Sequence, residues 1–170
     1  MKYYSFLVLL TSILLGSCNT TSPTDSGSDT VKEQAVVFPN ATFTKAIAYH
    51  FEDLNGRSII TDKGELNPTV KKAKELNAAE IDLFLKAIND DNTYGGVYTR
   101  CFKPRLGVVF YDKGSPVAHV SICFECSQQH SSPLIQAYAN APVEAHGYSE
   151  EGLRKLTSFC RQLGFGQCGE

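Results

Sequence analysis

The stretch that decides the fold is CFKPRLGVVFYDKGSPVAHVSICFEC, residues 101–126. Apolar side chains alternate with other residues on both sides of the turn signal at 112–114, which is Asp-Lys-Gly. Alternation with a period of two is typical of half-buried β-strands, and glycine can adopt the left-handed backbone that a bulged loop needs. The pattern therefore predicts a cysteine-rich β-hairpin over residues 106–124.

The register of this hairpin follows from where the loop closes. A three-residue loop at 112–114 places Leu106 opposite Val120 and puts the apolar residues of both strands on one face. Continued outward, the same pairing brings Cys101 beside Cys126 at the open end of the hairpin. We therefore expect two cysteines that are far apart in sequence to be neighbours in space.

Further strands are predicted on the N-terminal side of the hairpin. Residues 42–52 alternate in the same way, and Asn55-Gly56 is a favoured two-residue hairpin turn, so residues 58–61 are expected to return as a short strand. Residues 70–76 carry three lysines, and such charge suits the edge of a sheet, where it discourages pairing with other chains.

Two helices are indicated by their start signals. Asn77 and Glu80 have the spacing of a capping box, and Ser149 precedes a second helical pattern. The polar residues 127–147 between them are predicted to be a long loop of the kind that is usually functional or mobile. Together the patterns predict an α+β fold in which an antiparallel sheet carries two packed helices.

The N-terminus has the pattern of an export leader. The apolar run 6–15 is too short to cross a bilayer, which takes ~20 residues, but it suits the core of a secretory signal. It ends in Leu-Gly-Ser-Cys at 15–18, which resembles the bacterial lipobox. The resemblance implies that residues 1–17 are a lipoprotein signal peptide and that Cys18 becomes lipidated. An ordinary secretory signal with an incidental cysteine is the alternative.

The segment that follows Cys18 is expected to be a flexible tether. Residues 18–35 contain few apolar side chains and cannot bury enough surface to offset the entropy of ordering. Residues 36–170 are then a single domain. Lipid on Cys18 would anchor the protein to a membrane, and Asn19, which is not the aspartate of inner-membrane retention, favours the outer membrane of the cell envelope.

The charge and motifs exclude several classes of function. The chain has 16 basic and 18 acidic residues and a net charge of −2, so it lacks the basic stripe of a nucleic-acid-binding protein. It has no G-x-S-x-G, P-loop or H-E-x-x-H motif. His119 lies four residues from Cys123, which is ~13 Å along a strand, so the two do not form a catalytic dyad. No catalytic residue is predicted, and a non-enzymatic role is favoured.

The cysteines are the remaining candidates for chemistry. The predicted disulfide or metal-ligating residues are Cys101, Cys123, Cys126 and Cys160. Cys168 in the C-terminal tail is expected to be the free thiol, and a Cys160–Cys168 pair is the alternative. Disulfides suit an exported protein. Zinc is the alternative cofactor, and a thiol–disulfide oxidoreductase using the C-x-x-C at 123–126 is a third interpretation. We expect Cys160 to project onto the core near Cys101 and Cys126, and at least one disulfide to join Cys101 or Cys160 to the C-x-x-C.

The mature part of the chain resembles small exported bacterial lipoproteins of unassigned function. The residues that carry the resemblance are CFKPR, VFYD, ICFEC and FCRQLGF, at 101–105, 109–112, 122–126 and 159–165. The resemblance brings no activity and specifies no protein or small-molecule partner. The predicted tether, the lack of a catalytic motif and the long polar segment 127–147 favour a lipid-anchored module of the cell envelope with a binding or structural role.

Overall fold

The computed structural model of the chain describes residues 37–169, which belong to one compact unit, Gln34–Glu170. The predicted signal peptide 1–17 and tether 18–35 lie outside the described residues. The strands are β1 Lys45–Phe51, β2 Val70–Glu75, β3 Tyr94–Gly96, β4 Leu106–Asp112, β5 Ser115–Cys123, β6 Gln128–Ser132 and β7 Gly147–Tyr148; the helices are α1 Ala78–Ile88, α2 Gln136–Asn140 and α3 Glu150–Gln162, with 3-10 turns at Asp91–Thr93 and Val143–Ala145.

The architecture confirms the predicted α+β class. Five strands form a sheet in the order β2-β1-β4-β5-β6, and a separate pair joins β3 to β7. Every pairing in the large sheet is antiparallel. The lysine-rich β2 lies at one edge, as predicted, and the short helix α2 is an addition to the two predicted helices.

The β4–β5 hairpin is present, but its predicted register is wrong by two residues at the open end. Leu106 lies opposite Ile122 rather than Val120. The loop has only two residues, 113–114, and both have positive φ, which suits the twist of a hairpin. The shorter loop shifts the pairing by one residue, and a bulge between Phe110 and Tyr111 shifts it by one more. Because the shift is two residues and side chains alternate with period two, the same residues still face the core.

The main core lies between one face of the sheet and the helices. Phe110 is fully buried, and its ring lies 5.7 Å from that of Phe38, 4.9 Å from that of Phe43 and 6.4 Å from that of Phe84. Edge-on and offset contacts of this kind add to the free energy of burial. Other members of the same cluster are Ala46, Ala48, Val108, Val120, Ile122, Ile88, Leu156 and Phe159.

Both long helices begin where the sequence predicts. Asn77 caps α1 by accepting from the Glu80 N–H, and Glu80 accepts from the Asn77 N–H, which completes the capping box. Ser149 caps α3 by accepting from Gly152 N–H. These caps satisfy backbone donors that the first helical turn leaves unpaired. Within residues 37–169 no helix is both long and apolar enough to cross a membrane.

The prediction of a long loop over 127–147 is wrong. Residues 128–132 form β6, which pairs with β5 from Cys123 opposite Gln128 to His119 opposite Ser132, and α2 follows. The sequence Gln-Gln-His-Ser-Ser shows no apolar alternation. An edge strand can be polar because the neighbouring strand supplies its backbone hydrogen bonds.

The predicted hairpin at Asn55-Gly56 is also wrong. Residues 58–61 form no strand, and the connection 52–69 contains only one isolated bridge, between Ile60 and Leu66. It wraps over the second face of the sheet instead, where Ile59 is fully buried. A side chain at Gly107 would lie 2.5 Å from an Ile59 carbon, so glycine is required there.

A buried carboxylate holds this connection in place. Asp53 is 1% exposed and accepts hydrogen bonds from Arg57 Nε at 2.8 Å, Asn67 Nδ2 at 2.9 Å and the Asn55 N–H at 2.8 Å. The Ile59 N–H donates to Ser121 Oγ at 2.8 Å. We conclude that the connection is ordered by one central anion and not by strand pairing.

Replacing Phe110 with alanine should destabilise the protein strongly. The change removes a buried ring that contacts three others, and large-to-small changes of this kind cost about 3–5 kcal/mol. Urea denaturation measures the change in the free energy of unfolding. The control is Val97→Ala, because Val97 is 82% exposed and its truncation should change stability by less than about 0.5 kcal/mol. Equal effects of the two substitutions would contradict the packing described.

Asp53 should make stability depend on acid pH. Burial raises the pKa of Asp53, but hydrogen bonds from Asn67, Arg57 and Asn55 outweigh it and hold the pKa below its ordinary value of 3.8. A carboxyl with a depressed pKa in the folded state stabilises the fold above the unfolded-state pKa. This stabilisation is lost as the pH falls from 3.8 through the lower folded-state pKa.

The variant Asp53→Asn should therefore lose about 1–3 kcal/mol at neutral pH and show less acid dependence than the wild type. Urea denaturation at neutral pH and at several acid pH values measures both effects. Asp62→Asn changes an exposed carboxyl of the same connection and is the matched control. A wild type and an Asp53→Asn variant with parallel pH profiles would refute this role.

Candidate functional site

The C-x-x-C motif occupies the turn between β5 and β6. Cys123 ends β5 opposite Gln128, and the Ser127 N–H donates to the Phe124 carbonyl at 3.1 Å to close the turn. Ser127 has a positive φ of 54°. The motif thus lies in a tight turn and not at a helix start, which agrees with the polar residues that follow it in sequence.

A second segment lies alongside this turn and carries Cys101. The Thr99 N–H donates to the Cys126 carbonyl at 3.1 Å, and Gln128 Nε2 donates to the Thr99 carbonyl at 2.9 Å. On the same segment the Phe102 ring stacks on His130 with centroids 3.8 Å apart. These contacts hold residues 99–102, which lead into β4, against the β5–β6 turn. No pattern in the sequence indicated a role for Thr99.

Three cysteines meet where the segment and the turn touch. Cys101 Sγ lies 2.7 Å from Cys126 Sγ, so the predicted juxtaposition of these two residues is confirmed although the register that predicted it is not. Cys123 Sγ accepts hydrogen bonds from the Cys126 N–H at 3.2 Å and the Lys103 N–H at 3.4 Å. We call Cys101, Cys123 and Cys126 the thiol cluster.

The members of the thiol cluster differ sharply in exposure. Cys101 is exposed to solvent, whereas Cys123 and Cys126 are buried free thiols. Their exposed fractions are 0% for Cys123 and 1% for Cys126. A reagent from solvent therefore meets the Cys101 sulfur before either buried thiol.

The pKa values of Cys101 and Cys126 also differ: that of the exposed thiol is lowered, and that of the buried thiol is raised. The Cys126 thiol hydrogen-bonds the Cys101 sulfur and lowers the pKa of Cys101, and the Thr99 hydroxyl at 3.3 Å adds to this effect. Burial raises the pKa of Cys126, and the neighbouring Cys101 and Cys123 thiols raise it further. Because the thiolate is the nucleophilic form, Cys101 is the reactive member of the pair.

The prediction for the other two cysteines is corrected by the structure. Cys160 does not join the thiol cluster, because it is bonded to Cys168 in a disulfide that spans 8 residues. Cys168 is therefore not free, and the pairing is the alternative that the sequence left open. The expected disulfide from Cys101 or Cys160 to the C-x-x-C is not formed, because Cys101, Cys123 and Cys126 are free thiols. The bond ties the tail that follows α3 back to that helix, and closing a loop of this size stabilises a fold by about 2–3 kcal/mol.

Zinc binding at the cysteines stays a prediction. Among residues 37–169 no group of three or more His, Cys, Asp or Glu side chains is arranged as a metal site. Two thiolates on one tetrahedral zinc lie ~3.8 Å apart, given Zn–S bonds of ~2.3 Å. The Cys101 and Cys126 sulfurs are 2.7 Å apart, so zinc would require them to separate.

A charged network borders the thiol cluster. Arg105 lies between Glu52 at 3.4 Å and Glu125 at 3.4 Å, and it also donates to Gln167 at 3.1 Å. Glu125 is the residue before Cys126 in the C-x-x-C motif. The network therefore links that turn to the end of β1 and to the C-terminal tail.

The chain was compared with proteins of known family, function or structure. No protein-family model matches it, no curated protein matches it, and no solved structure matches it. The proposals that follow rest on the residues and geometry of this chain.

The hydrogen bond from Cys126 should control the reactivity of Cys101. In the reduced protein, Cys126→Ala removes the thiol donor, so the pKa of Cys101 should rise and its alkylation by iodoacetamide near neutral pH should slow by about three- to tenfold. Cys126→Ser keeps a hydroxyl donor at the same position and is the matched control. Peptide mass spectrometry at early times measures the rate at Cys101. Equal rates in the wild type and the alanine variant would contradict this role.

Proposed function

We propose that this protein is a lipid-anchored module of the cell envelope whose folded domain, stabilised by disulfides, has a binding or structural role. The observation that carries the proposal is the Leu-Gly-Ser-Cys sequence at 15–18, directly after an apolar run. That combination is typical of a leader that is cut before the cysteine and replaced by lipid. Asn19 supports delivery to the outer membrane.

The cysteine usage supports the same proposal. The Cys160–Cys168 disulfide is of a kind that persists in oxidising compartments such as the bacterial periplasm and is rare in the cytosol. Cys101 and Cys126 have sulfurs 2.7 Å apart and would form a second disulfide in such a compartment. One bond ties the C-terminal tail to α3, and the other would tie the Cys101 segment to the β5–β6 turn.

The experiment that tests the anchor uses Cys18. The full chain is expressed in a bacterium that is fed a radiolabelled or alkyne-tagged fatty acid. The wild type should carry the label and sediment with membranes, because several acyl chains together anchor stably. Cys18→Ala should carry no label and lose most of its membrane fraction.

A matched control separates the anchor from general effects of losing a cysteine. Cys168→Ala removes another cysteine of the chain and should keep both the label and the membrane fraction. Mass spectrometry of the mature N-terminus identifies the cleavage point. A mature protein that begins elsewhere than at Cys18, or one that stays in membranes without lipid, would overturn the proposal.

A further inference from the structure

We infer that Cys101 and Cys126 form a thiol–disulfide exchange pair, in which Cys101 attacks the disulfide of a substrate and Cys126 resolves the product. The inference goes beyond the proposed function and does not depend on the lipid anchor. It also differs from an exchange reaction within the C-x-x-C, because the partner of Cys126 is Cys101, on a separate segment, and not Cys123.

Cys101 and Cys126 differ in exposure in the way that an attacking and a resolving thiol can. Exchange requires one sulfur that a substrate disulfide can approach and a second sulfur close enough to attack the mixed disulfide. Cys101 is exposed and Cys126 is buried directly behind it, with 2.7 Å between the sulfurs. In a mixed disulfide, the Cys101 sulfur is therefore within reach of Cys126, while burial protects Cys126 itself from direct attack.

Hydrogen bonds that do not use the sulfurs of the pair position Cys126 and the segment that carries Cys101. The Thr99 N–H holds the Cys126 carbonyl, and the Cys126 N–H donates to Cys123 Sγ. A disulfide needs a sulfur separation of ~2.05 Å. Closing the sulfur separation from 2.7 Å to this value is a small displacement, so we expect both redox forms to fit the same fold.

The pKa values of the two thiols are shifted in opposite directions, which adds to the difference in exposure. The pKa of Cys101 is lowered by the hydrogen bond from the Cys126 thiol, so the exposed sulfur is the one with thiolate character. The pKa of Cys126 is raised by burial and by the neighbouring thiols, so Cys126 keeps its proton while Cys101 attacks. Reactive cysteines are typically exposed and have a lowered pKa, whereas buried structural ones are inert.

The reaction proceeds in two balanced steps. The Cys101 thiolate attacks one sulfur of a substrate disulfide, forming a mixed disulfide and releasing one substrate thiolate, which takes up a proton from water. Cys126 then loses its proton to water and attacks the Cys101 sulfur, which releases the second substrate thiol and leaves the Cys101–Cys126 disulfide. Two electrons pass from the pair to the substrate. A dithiol from another protein would reverse the cycle.

Cys123 has a different place in the cluster. It is fully buried, and its sulfur already accepts the N–H groups of Cys126 and Lys103. Those two bonds hold the turn and the Cys101 segment in register. Cys123 therefore positions Cys101 and Cys126, and it does not itself attack the mixed disulfide.

The first experiment uses the full chain after reduction and removal of the reductant, with dithionitrobenzoate as the probe disulfide. In the wild type Cys101 and Cys126 should together release two thionitrobenzoate groups and end as a disulfide, located by peptide mass spectrometry. Cys126→Ser should release one group and retain the other on Cys101. Cys101→Ser should slow release from this site by about tenfold or more, because only buried thiols remain.

Three results would overturn the inference. They are a wild type that stops with the probe on Cys101, a Cys126→Ser variant that still releases both groups, and a Cys101→Ser variant that reacts as fast as the wild type. Cys123→Ser decides which buried thiol resolves the mixed disulfide. Accumulation of a stable adduct on Cys101 in that variant, with its folded structure intact by circular dichroism, would assign resolution to Cys123 instead.

A second experiment separates an exchange pair from a permanent structural bond. The folded wild type is equilibrated with mixtures of reduced and oxidised glutathione and then alkylated. The Cys101–Cys126 pair should change from dithiol to disulfide within this series, whereas structural disulfides resist reduction by glutathione. A pair that stays oxidised in every mixture would overturn the inference. Both experiments locate the change at Cys101 and Cys126 by peptide mass spectrometry and do not depend on the state of Cys18, so failure of the anchor leaves both results interpretable.

Discussion

The structure depends on the burial of both faces of the β4–β5 hairpin. All five residues from Leu106 to Phe110 are buried, so one face of β4 must be covered by helices and the other by the connection 52–69. Buried backbone groups need partners, and β1 supplies them on the outer side of β4. A hairpin that is apolar on both faces therefore requires the rest of the domain to be built around it.

The thiol cluster is a consequence of where this hairpin ends. Antiparallel pairing brings the residues before β4 and after β5 to the same end of the sheet, and there the β5–β6 turn holds Cys126 against the segment of Thr99 and Cys101. One side of the segment faces solvent and the other faces the turn. Cys101 and Cys126 have identical side chains but differ in exposure. The pKa of Cys101 is lowered and that of Cys126 is raised.

Features set by short stretches could be predicted from the sequence. The hairpin 106–124 follows from alternation, the start of α1 from the spacing of Asn77 and Glu80, and the neighbouring Cys101 and Cys126 from antiparallel pairing. Each depends on residues that act within a turn, a strand or one hairpin. The two-residue error in register left the core face unchanged because side chains alternate with a period of two, so the prediction was correct about burial and wrong about partners.

The sequence by itself determined the α+β class, the central hairpin and the helix starts, because periodicity and capping act locally. Only the tertiary structure decided the remaining features. Residues 128–132 are a strand because β5 offers them an unpaired edge, and their own composition gives no such signal. Asp53 is buried because Asn67, 14 positions away, folds over it. Cys160 pairs with Cys168 because the chain reverses at Gly164, where φ is positive, and returns the tail to α3; a pairing set by such a return depends on contacts in space that no spacing in the sequence specifies.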